Sequence, residues 1–257
     1  LFFGEGLSLQ RYDRYRYKKL FDLFLQQMSF FWRPEEVDLS GKEKNDFLSL
    51  TDHEKFIFTK NLSYQTLLDS VQGRGISHLL HDCSNPEFEA FAKAWEFFET
   101  IHSYSYTYIV KNVYANPSEV FDDILTDKEV LKRTKTVTKY YDDLINKIPE
   151  DSINDRKRKL YLTLVSINIL EGIRFYVSFA CTYAMAQNKK MEGSAKIISL
   201  INRDENLHLA FTQTVLKHLR DNKDEGFQHI VKECEQTVIK MYADAAKEEM
   251  QWATYLF

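Results

Sequence analysis

The sequence predicts an all-α protein that folds as a bundle of long helices. Chain-breaking residues are scarce, with eight glycines and four prolines in 257 residues, whereas an all-β sandwich or barrel needs a turn about every 8–12 residues. Apolar residues recur at helical spacing over long stretches, and capping signals precede several of them. Neither a repeat nor a change of composition divides the chain, so residues 1–257 are expected to form a single domain.

The first two expected helices have clear start signals. Residues 51–54 (Thr-Asp-His-Glu) form a capping box that opens a helix expected to end at Gly73. Residues 85–87 (Asn-Pro-Glu) supply an N-cap, a first-turn proline and an early acid for a helix that runs to about Tyr114.

Four more helices are expected in the second half of the chain. One is capped by residues 126–129 and ends before Pro149; the others span about residues 152–187, 192–219 and 226–257. Long helices joined by short connections indicate a bundle whose neighbouring helices are antiparallel.

The stretch from Leu160 to Ala186 is apolar on nearly all sides but contains Asn168, Glu171 and Arg174. A membrane span needs about 18 or more apolar residues with few charges, so this helix is expected to be buried in protein. A carboxylate at its centre is costly unless it is paired, protonated or bound to metal. Glu171 is therefore the first indication of a site.

Charge and cysteine content exclude several classes of protein. The formal net charge of −4 gives no support for nucleic-acid binding. Cys83, Cys181 and Cys234 are too few and too scattered for a disulfide framework or a thiolate zinc site. The charged residues 11–19 do not fit a signal peptide. We expect a cytoplasmic protein without a membrane or nucleic-acid partner.

Two Glu-x-x-His pairs lie within apolar helices, at Glu99/His102 and at Glu205/His208. A spacing of three residues places each carboxylate beside its imidazole on one helix face. Two further acids, Asp69 and Glu171, occur on other expected helices. This is the donor set of ferritin-like di-iron and di-manganese bundles. Four carboxylates would balance two divalent cations, and the same donors suit iron and manganese.

Each residue taken alone has a simpler interpretation. A lone internal acid such as Asp69 is more often a hydrogen-bonded core residue, and Glu171 could pair with Arg174 on its own helix. Asp204 could accept a hydrogen bond from a ligand histidine or pair with Arg203. One metal site nevertheless explains the set better than separate coincidences do.

Two aromatic residues are ambiguous on spacing alone. Tyr106 shares a helix face with Glu99 and His102. A phenol beside a redox metal can be oxidised to a radical, but a buried tyrosine is more often a packing residue. Trp32 by itself is typical of an anchor that packs a loop.

Five stretches resemble the small, radical-generating subunit of class I ribonucleotide reductase, in particular the bacterial and bacteriophage class Ia type. The stretches occur in the same order as in that family, and the resemblance covers nearly the whole chain. The stretches are SFFWRPEEVD (29–38), YQTLLDSVQGR (64–74), ETIHSYSYT (99–107), ILEGIRFYVSFACT (169–182) and AKIISLINRDENLHL (195–209).

The resemblance implies a role for each candidate residue. It implies one metal at Asp69, Glu99 and His102, and a second at Glu171, Glu205 and His208. It makes Tyr106 the radical-bearing residue. It also implies an apolar radical pocket formed by Phe175, Phe179 and Ile201. Finally, it implies a radical-transfer route through Trp32, Asp204 and His102.

The function implied is that of a ribonucleoside-diphosphate reductase subunit. Two iron ions would activate O2 to form a stable tyrosyl radical, which a homodimer would pass to the large catalytic subunit. Tyr104 departs from the family, since the bacterial relatives carry Arg there, and the connection at 146–156 is short. Family members also continue past Phe257 with helices and a docking tail. We expect this chain to bind metal and oxidise Tyr106, but to need that tail for nucleotide reduction.

Three alternatives remain on the residues alone. A different di-iron oxidase would typically have Glu in place of Asp69 and would need a substrate channel to the metals. An iron-storage protein of ferritin type would be shorter and would assemble into a cage of about 24 chains. A metal-free helical scaffold would keep its thermal stability in the presence of a chelator.

Overall fold

The structure is a computed structural model that describes residues 1–4, 9–146 and 151–257. In those ranges the architecture is helical, and the only extended pairing is an isolated antiparallel bridge between Phe2 and Cys83. The all-α prediction is confirmed. The helices are α1 (Lys18–Ser29), α2 (Lys42–Ser49), α3 (Asp52–Leu80), α4 (Pro86–Val113), α5 (Pro117–Ile124), α6 (Lys128–Ile145), α7 (Ile153–Ile169), a π-helical segment (Leu170–Arg174), α8 (Tyr176–Gln187), α9 (Glu192–Asp221), α10 (Gln228–Glu233) and α11 (Glu235–Leu256), with short 3₁₀ turns at Pro34–Glu36 and Lys223–Glu225.

The capping signals lie where the sequence predicted them. The side chain of Thr51 accepts a hydrogen bond from the Glu54 backbone, and Glu54 reaches back to the Thr51 N–H. Asn85 accepts from the backbone N–H of Phe88 at the start of α4. Asp127 caps α6 in the same way. These local bonds satisfy backbone donors that a helix N-terminus would otherwise leave free.

The expected end of α3 at Gly73 is wrong, because α3 continues to Leu80. Gly73 and Gly75 keep helical backbone and allow other elements to come close. A Cβ atom at Gly75 would lie 2.3 Å from Cε1 of Tyr141, and one at Gly73 would lie 3.1 Å from Cβ of Glu99. The two glycines therefore permit close packing and do not end the helix.

The long helix expected over 152–187 is confirmed, with a π-helical interruption between α7 and α8. Among the described residues, Ile153–Gln187 is the one helix long and apolar enough to cross a membrane, and 67% of its most apolar window is buried inside the protein. This burial is typical of a core helix. Glu171 lies in the π-helical segment, a feature that often marks functional sites.

Other boundaries differ from expectation. The helix expected from Gly226 onward is two helices that meet at Cys234, and Gly226 itself has a φ of +65°. Helix α6 ends at Ile145, and Pro149 lies outside the described residues. Helices α1, α2 and α5 were not predicted. They are short, at 12, 8 and 8 residues, so each offers little helical periodicity. For α5 the sequence did carry a start signal, since Asn116 and Pro117 stand at its beginning as Asn85 and Pro86 do at that of α4.

Four long elements form the centre of the bundle. Helix α4 contacts α3 and α9, and the run from α7 to α8 contacts α3 and α9. Helices α1 and α6 cover α4 and α3, while α11 lies against the π-helical segment. The buried apolar side chains form one continuous core. The elements that carry the predicted metal-binding motifs are therefore the inner ones.

Candidate metal centre

The structure brings the six predicted metal ligands together in the middle of the bundle. Helix α3 contributes one of them, α4 two, the π-helical segment one and α9 two. All six are fully buried: Asp69, Glu99, His102, Glu171, Glu205 and His208.

Two carboxylates lie between the two imidazoles. The Nδ1 atom of His102 is 3.1 Å from Oε1 of Glu205 and 3.5 Å from Oε2 of Glu99. The Nδ1 atom of His208 is 2.9 Å from Oε2 of Glu205 and 3.3 Å from Oε1 of Glu99. Glu99 and Glu205 therefore connect the two halves of the cluster.

The possible ligand atoms fall into two overlapping sets, each with all its atoms within 4.8 Å of one another. Glu99 and Glu205 belong to both sets. The first set adds Asp69 and His102, and the second adds Glu171 and His208. This geometry has room for two neighbouring cations that share two carboxylates.

The free polar atoms of the cluster match the needs of such cations. Buried polar atoms are normally hydrogen-bonded, yet seven side-chain atoms here have no well-aligned partner among the described residues. They are both carboxylate oxygens of Asp69, Oε2 of Glu99, Nδ1 of His102, Oε2 of Glu171, Oε1 of Glu205 and Nε2 of His208. Carboxylate oxygen and imidazole nitrogen are donors that iron and manganese accept, so the residues fit a di-metal site.

The electrostatics of the metal-free cluster favour bound protons. Burial, and then the negative charge of Glu205, raises the pKa values of Asp69 and Glu171 well above their usual range. Burial lowers the pKa of His102, but the Glu205 charge and the hydrogen bonds to Asp204, Glu205 and Glu99 together outweigh it, and the net shift is upward. Burial raises the pKa of Glu205, yet the charge of His102 and its hydrogen bonds hold that pKa below its usual range. Divalent cations would displace these protons.

The outer nitrogen of His102 begins a polar chain that leads away from the cluster. His102 Nε2 lies 3.2 Å from Oδ2 of Asp204, which also accepts a hydrogen bond of 2.8 Å from Nε1 of the buried Trp32. Nη2 of Arg203 lies 3.5 Å from the other Asp204 oxygen and donates to the Phe30 carbonyl at 2.6 Å. Asp204 therefore contacts both His102 and Arg203, the two partners that the sequence suggested for it.

The simpler interpretation of Glu171 is wrong. Arg174 turns to α11, where Nη1 lies 2.8 Å from Oε2 of Glu248. Glu171 instead accepts a hydrogen bond of 2.6 Å on Oε1 from Nε2 of Gln72. The carboxylate thus has a neutral amide as its donor and no cation from its own helix.

Tyr106 lies fully buried on α4, and its hydroxyl has no well-aligned hydrogen-bond partner in the part of the chain that the structure describes. Burial, together with the neighbouring Asp69 carboxylate, raises the pKa of Tyr106 well above its usual range. Phe175 and Phe179 stack with ring centroids 5.5 Å apart, and Ile201 is fully buried in the same apolar core.

Tyr104, the departure noted in the sequence, lies outside this core. Its side chain is 49% exposed, and its hydroxyl donates to the carboxylate of Glu35. Helix α4 therefore carries one buried and one exposed tyrosine two residues apart.

Two residues that contact the cluster were missed by sequence reasoning. Nε1 of Trp95 donates to Oε1 of Glu99 at 2.8 Å, and its ring centroid is 5.1 Å from that of His208. Gln72 donates to Glu171. Spacing offered a signal for both, since Trp95 precedes Glu99 by one helical turn and Gln72 follows Asp69 by three residues.

Comparison with known proteins agrees with this geometry. The family model described as "Ribonucleotide reductase, small chain" matches residues 10–257. Two of the curated relatives are named "Ribonucleoside-diphosphate reductase subunit beta" and "Ribonucleoside-diphosphate reductase 1 subunit beta". One, from Buchnera aphidicola subsp. Baizongia pistaciae, is 48% identical, and one from Escherichia coli O157:H7 is 46% identical; each alignment covers 100% of this chain and 73% of the relative.

A solved structure gives the same result for the fold. The ribonucleotide reductase R2 subunit from Clostridium botulinum superposes with a TM-score of 0.87 at 30% identity, covering 96% of this chain and 75% of that chain. The ferritin-like bundle expected from the sequence is therefore confirmed. Sequence, fold and buried carboxylate–histidine cluster agree, and the chain belongs to the family of class I ribonucleotide reductase small subunits, the beta subunits of an oxidoreductase.

Proposed function

We propose that the six buried side chains bind two iron ions and that the centre generates a radical on Tyr106 for use by the large subunit. One observation carries the proposal: four carboxylates and two imidazoles converge in a dry core with free donor atoms, next to a buried phenol. We take residues 1–257 as one domain for this role.

The metal ions would be held as the two overlapping sets suggest, with Glu99 and Glu205 shared. When bound, two ferrous ions would each supply one electron to O2, and the partly reduced oxygen would be an oxidant for a nearby phenol. Tyr106 must release a proton when it gives up an electron, and the carboxylate of Asp69 lies beside its hydroxyl to receive it. Manganese would use the same donors, and iron is the metal we propose.

We propose that three apolar side chains of the core form a pocket around Tyr106 that preserves the radical. Phe175, Phe179 and Ile201 are fully buried apolar side chains without protons to donate, so they would keep water and reductants away. Trp32, Asp204 and His102 form a continuous hydrogen-bonded chain from the N-terminal segment to the centre. We propose this chain as the route by which the oxidising equivalent reaches the large catalytic subunit.

The protein is proposed to act as a cytoplasmic homodimer. Leu25 and Met28 on α1, Phe31 just beyond it and Phe97 on α4 are each more than half exposed. The rings of Phe31 and Phe97 stack on each other at 6.2 Å. Exposed apolar clusters of this kind mark protein interfaces, and a second copy is the proposed occupant. Sedimentation at micromolar concentration is expected to give two chains per particle.

Electron paramagnetic resonance tests the proposed radical. Metal-free protein is loaded with ferrous iron without oxygen and then exposed briefly to air. We expect a sharp tyrosyl signal that Tyr106→Phe abolishes. Tyr104→Phe is the matched control, since it removes an exposed phenol from the same helix and should leave the signal unchanged. A full signal in Tyr106→Phe would show that the radical assignment is wrong.

A further inference from the structure

We propose that Gln72 is a positioning residue for Glu171 and that Tyr141 stabilises the Gln72 amide in the orientation that serves Glu171. The inference rests on the proposed function, because it concerns one ligand of the proposed metal pair. It adds α6, which supplies none of the six ligands, to the elements that control the centre.

The three side chains form one hydrogen-bonded chain. Gln72 on α3 is fully buried, and its Nε2 donates to Oε1 of Glu171 at 2.6 Å. The Oε1 atom of Gln72 accepts a hydrogen bond of 2.6 Å from the hydroxyl of Tyr141 on α6. Both donors therefore point along the chain toward the carboxylate, an arrangement in which each hydrogen bond strengthens the next.

Tyr141 and Glu171 together set the direction of the amide. An amide can turn over and exchange its oxygen and nitrogen, and only its hydrogen-bond partners decide between the two orientations. An ionised carboxylate can only accept hydrogen bonds, so a Glu171 that binds a cation requires the Gln72 nitrogen on its side. A phenol can donate or accept, and in the described ranges the Tyr141 hydroxyl donates to Oε1 of Gln72 and has no other hydrogen-bond partner. That donation stabilises the orientation in which the nitrogen faces Glu171.

The consequence for Glu171 is that its two oxygens have different tasks. Oε1 is held by Gln72, whereas Oε2 has no well-aligned partner and lies 4.0 Å from Nδ1 of His208. Oε2 is therefore the oxygen presented to a cation. Because Glu171 belongs only to the second ligand set, Gln72 should act on one of the two metals.

Gly75 makes the chain possible. A Cβ atom there would lie 2.3 Å from Cε1 and 2.4 Å from Cζ of Tyr141, closer than such atoms can approach. The ring of Tyr141 thus occupies the space that any other residue at position 75 would fill. Helix α6 is therefore coupled to the metal centre through a contact that only glycine allows.

Manganese binding tests the inference without any activity assay. Metal-free protein is titrated with Mn²⁺, and the free ion is counted by its six-line paramagnetic resonance signal. The wild-type protein should bind two ions. Gln72→Met removes the amide donor and keeps the side-chain length, and the Kd of one ion should rise about 10- to 100-fold, the usual effect of losing a hydrogen-bond partner of a ligand. The other ion should bind as before.

Two further variants make the result specific. Tyr141→Phe keeps the ring beside Gly75 and removes only the hydroxyl, so it should weaken the same ion by a smaller factor. The matched control is Tyr64→Phe, which removes another buried hydroxyl, one that donates to Oε1 of Glu249 at 2.7 Å outside the cluster. Both ions should bind to this control with wild-type affinity.

The outcomes separate this inference from the proposed function. If the wild type binds two ions and both Gln72→Met and Tyr141→Phe do the same with unchanged affinity, the positioning role is overturned. If the wild type itself binds fewer than two ions, the proposed metal pair is wrong. Thermal melting of the metal-free variants checks that each is folded, and Tyr141→Phe carries the test if Gln72→Met does not fold.

Discussion

Replacing Glu171 with Gln should separate the metal-binding role of this carboxyl from any structural role. Burial, and then the charge of Glu205, raises the pKa of Glu171 well above its usual range, so the metal-free protein holds this group as a neutral acid. A glutamine has nearly the same shape and can still accept the hydrogen bond from Gln72. The metal-free variant should therefore be about as stable as the wild type, since one neutral side chain replaces another of nearly the same shape.

The metal-loaded proteins should differ in the opposite direction. An ion at 100 times its Kd stabilises the folded state by about 2.7 kcal/mol, so two ions contribute about 5 kcal/mol. Glu171→Gln should keep about half of this. For a chain of this size each kcal/mol moves the melting temperature by about 2–4 °C, so the variant should lose about 5–10 °C of the metal-induced shift.

Circular dichroism melting with and without Mn²⁺ measures both effects. Glu249→Gln is the control, because Glu249 is a second buried carboxyl that lies on α11 and outside both ligand sets. It should keep the full metal-induced shift. Should metal-free Glu171→Gln melt far below the wild type and still show the full shift, Glu171 would be a structural residue and not a ligand.

Three further predictions concern stability and are checked by urea unfolding. Burial raises the pKa of Glu249 from its ordinary 4.5 to about 7, so the contribution of this carboxyl to the free energy of unfolding is complete below about pH 4.5 and is lost as the pH rises to 7. At about 1.4 kcal/mol per pH unit, the wild type should lose about 3 kcal/mol over this range that Glu249→Gln does not lose. An equal pH dependence of stability in the two proteins would contradict this. Thr51→Ala removes the side chain that accepts from the Glu54 N–H and should cost about 1 kcal/mol, whereas no change would mean that the cap is not formed in solution. Phe211→Ala removes a ring stacked on Phe91 at 3.8 Å and should cost about 3–5 kcal/mol, and an unchanged midpoint would argue against this packing.

Local signals account for what the sequence could predict. The caps at Thr51, Asn85 and Asp127 depend on neighbours within three residues, and all three lie where expected. The Glu-x-x-His pairs are equally local, because helical spacing alone puts both side chains on one face. Burial of the remaining acids followed from the apolar sequence around them. This explains why all six candidate ligands could be named from sequence.

Contacts between distant segments account for what was missed. The hydrogen-bonded residues Gln72 and Glu171 are 99 residues apart in the sequence. Arg174 forms its ion pair with Glu248, which lies 74 residues further along the chain in another helix. Nothing in the sequence around Arg174 indicated that it would turn from its own helix to α11. Gly73 suggested a helix end when read alone, whereas the Cβ atom of Glu99, 3.1 Å from where a Cβ at position 73 would lie, shows that this glycine allows close packing within a continuing helix.

Anomalous diffraction from crystals of the protein grown with Mn²⁺ tests the central claim most directly. We predict two peaks in the core, close enough to share Glu99 and Glu205, one of them beside Asp69 and His102 and the other beside Glu171 and His208. An empty core, a single peak, or manganese bound only at the surface would contradict the proposed di-metal centre.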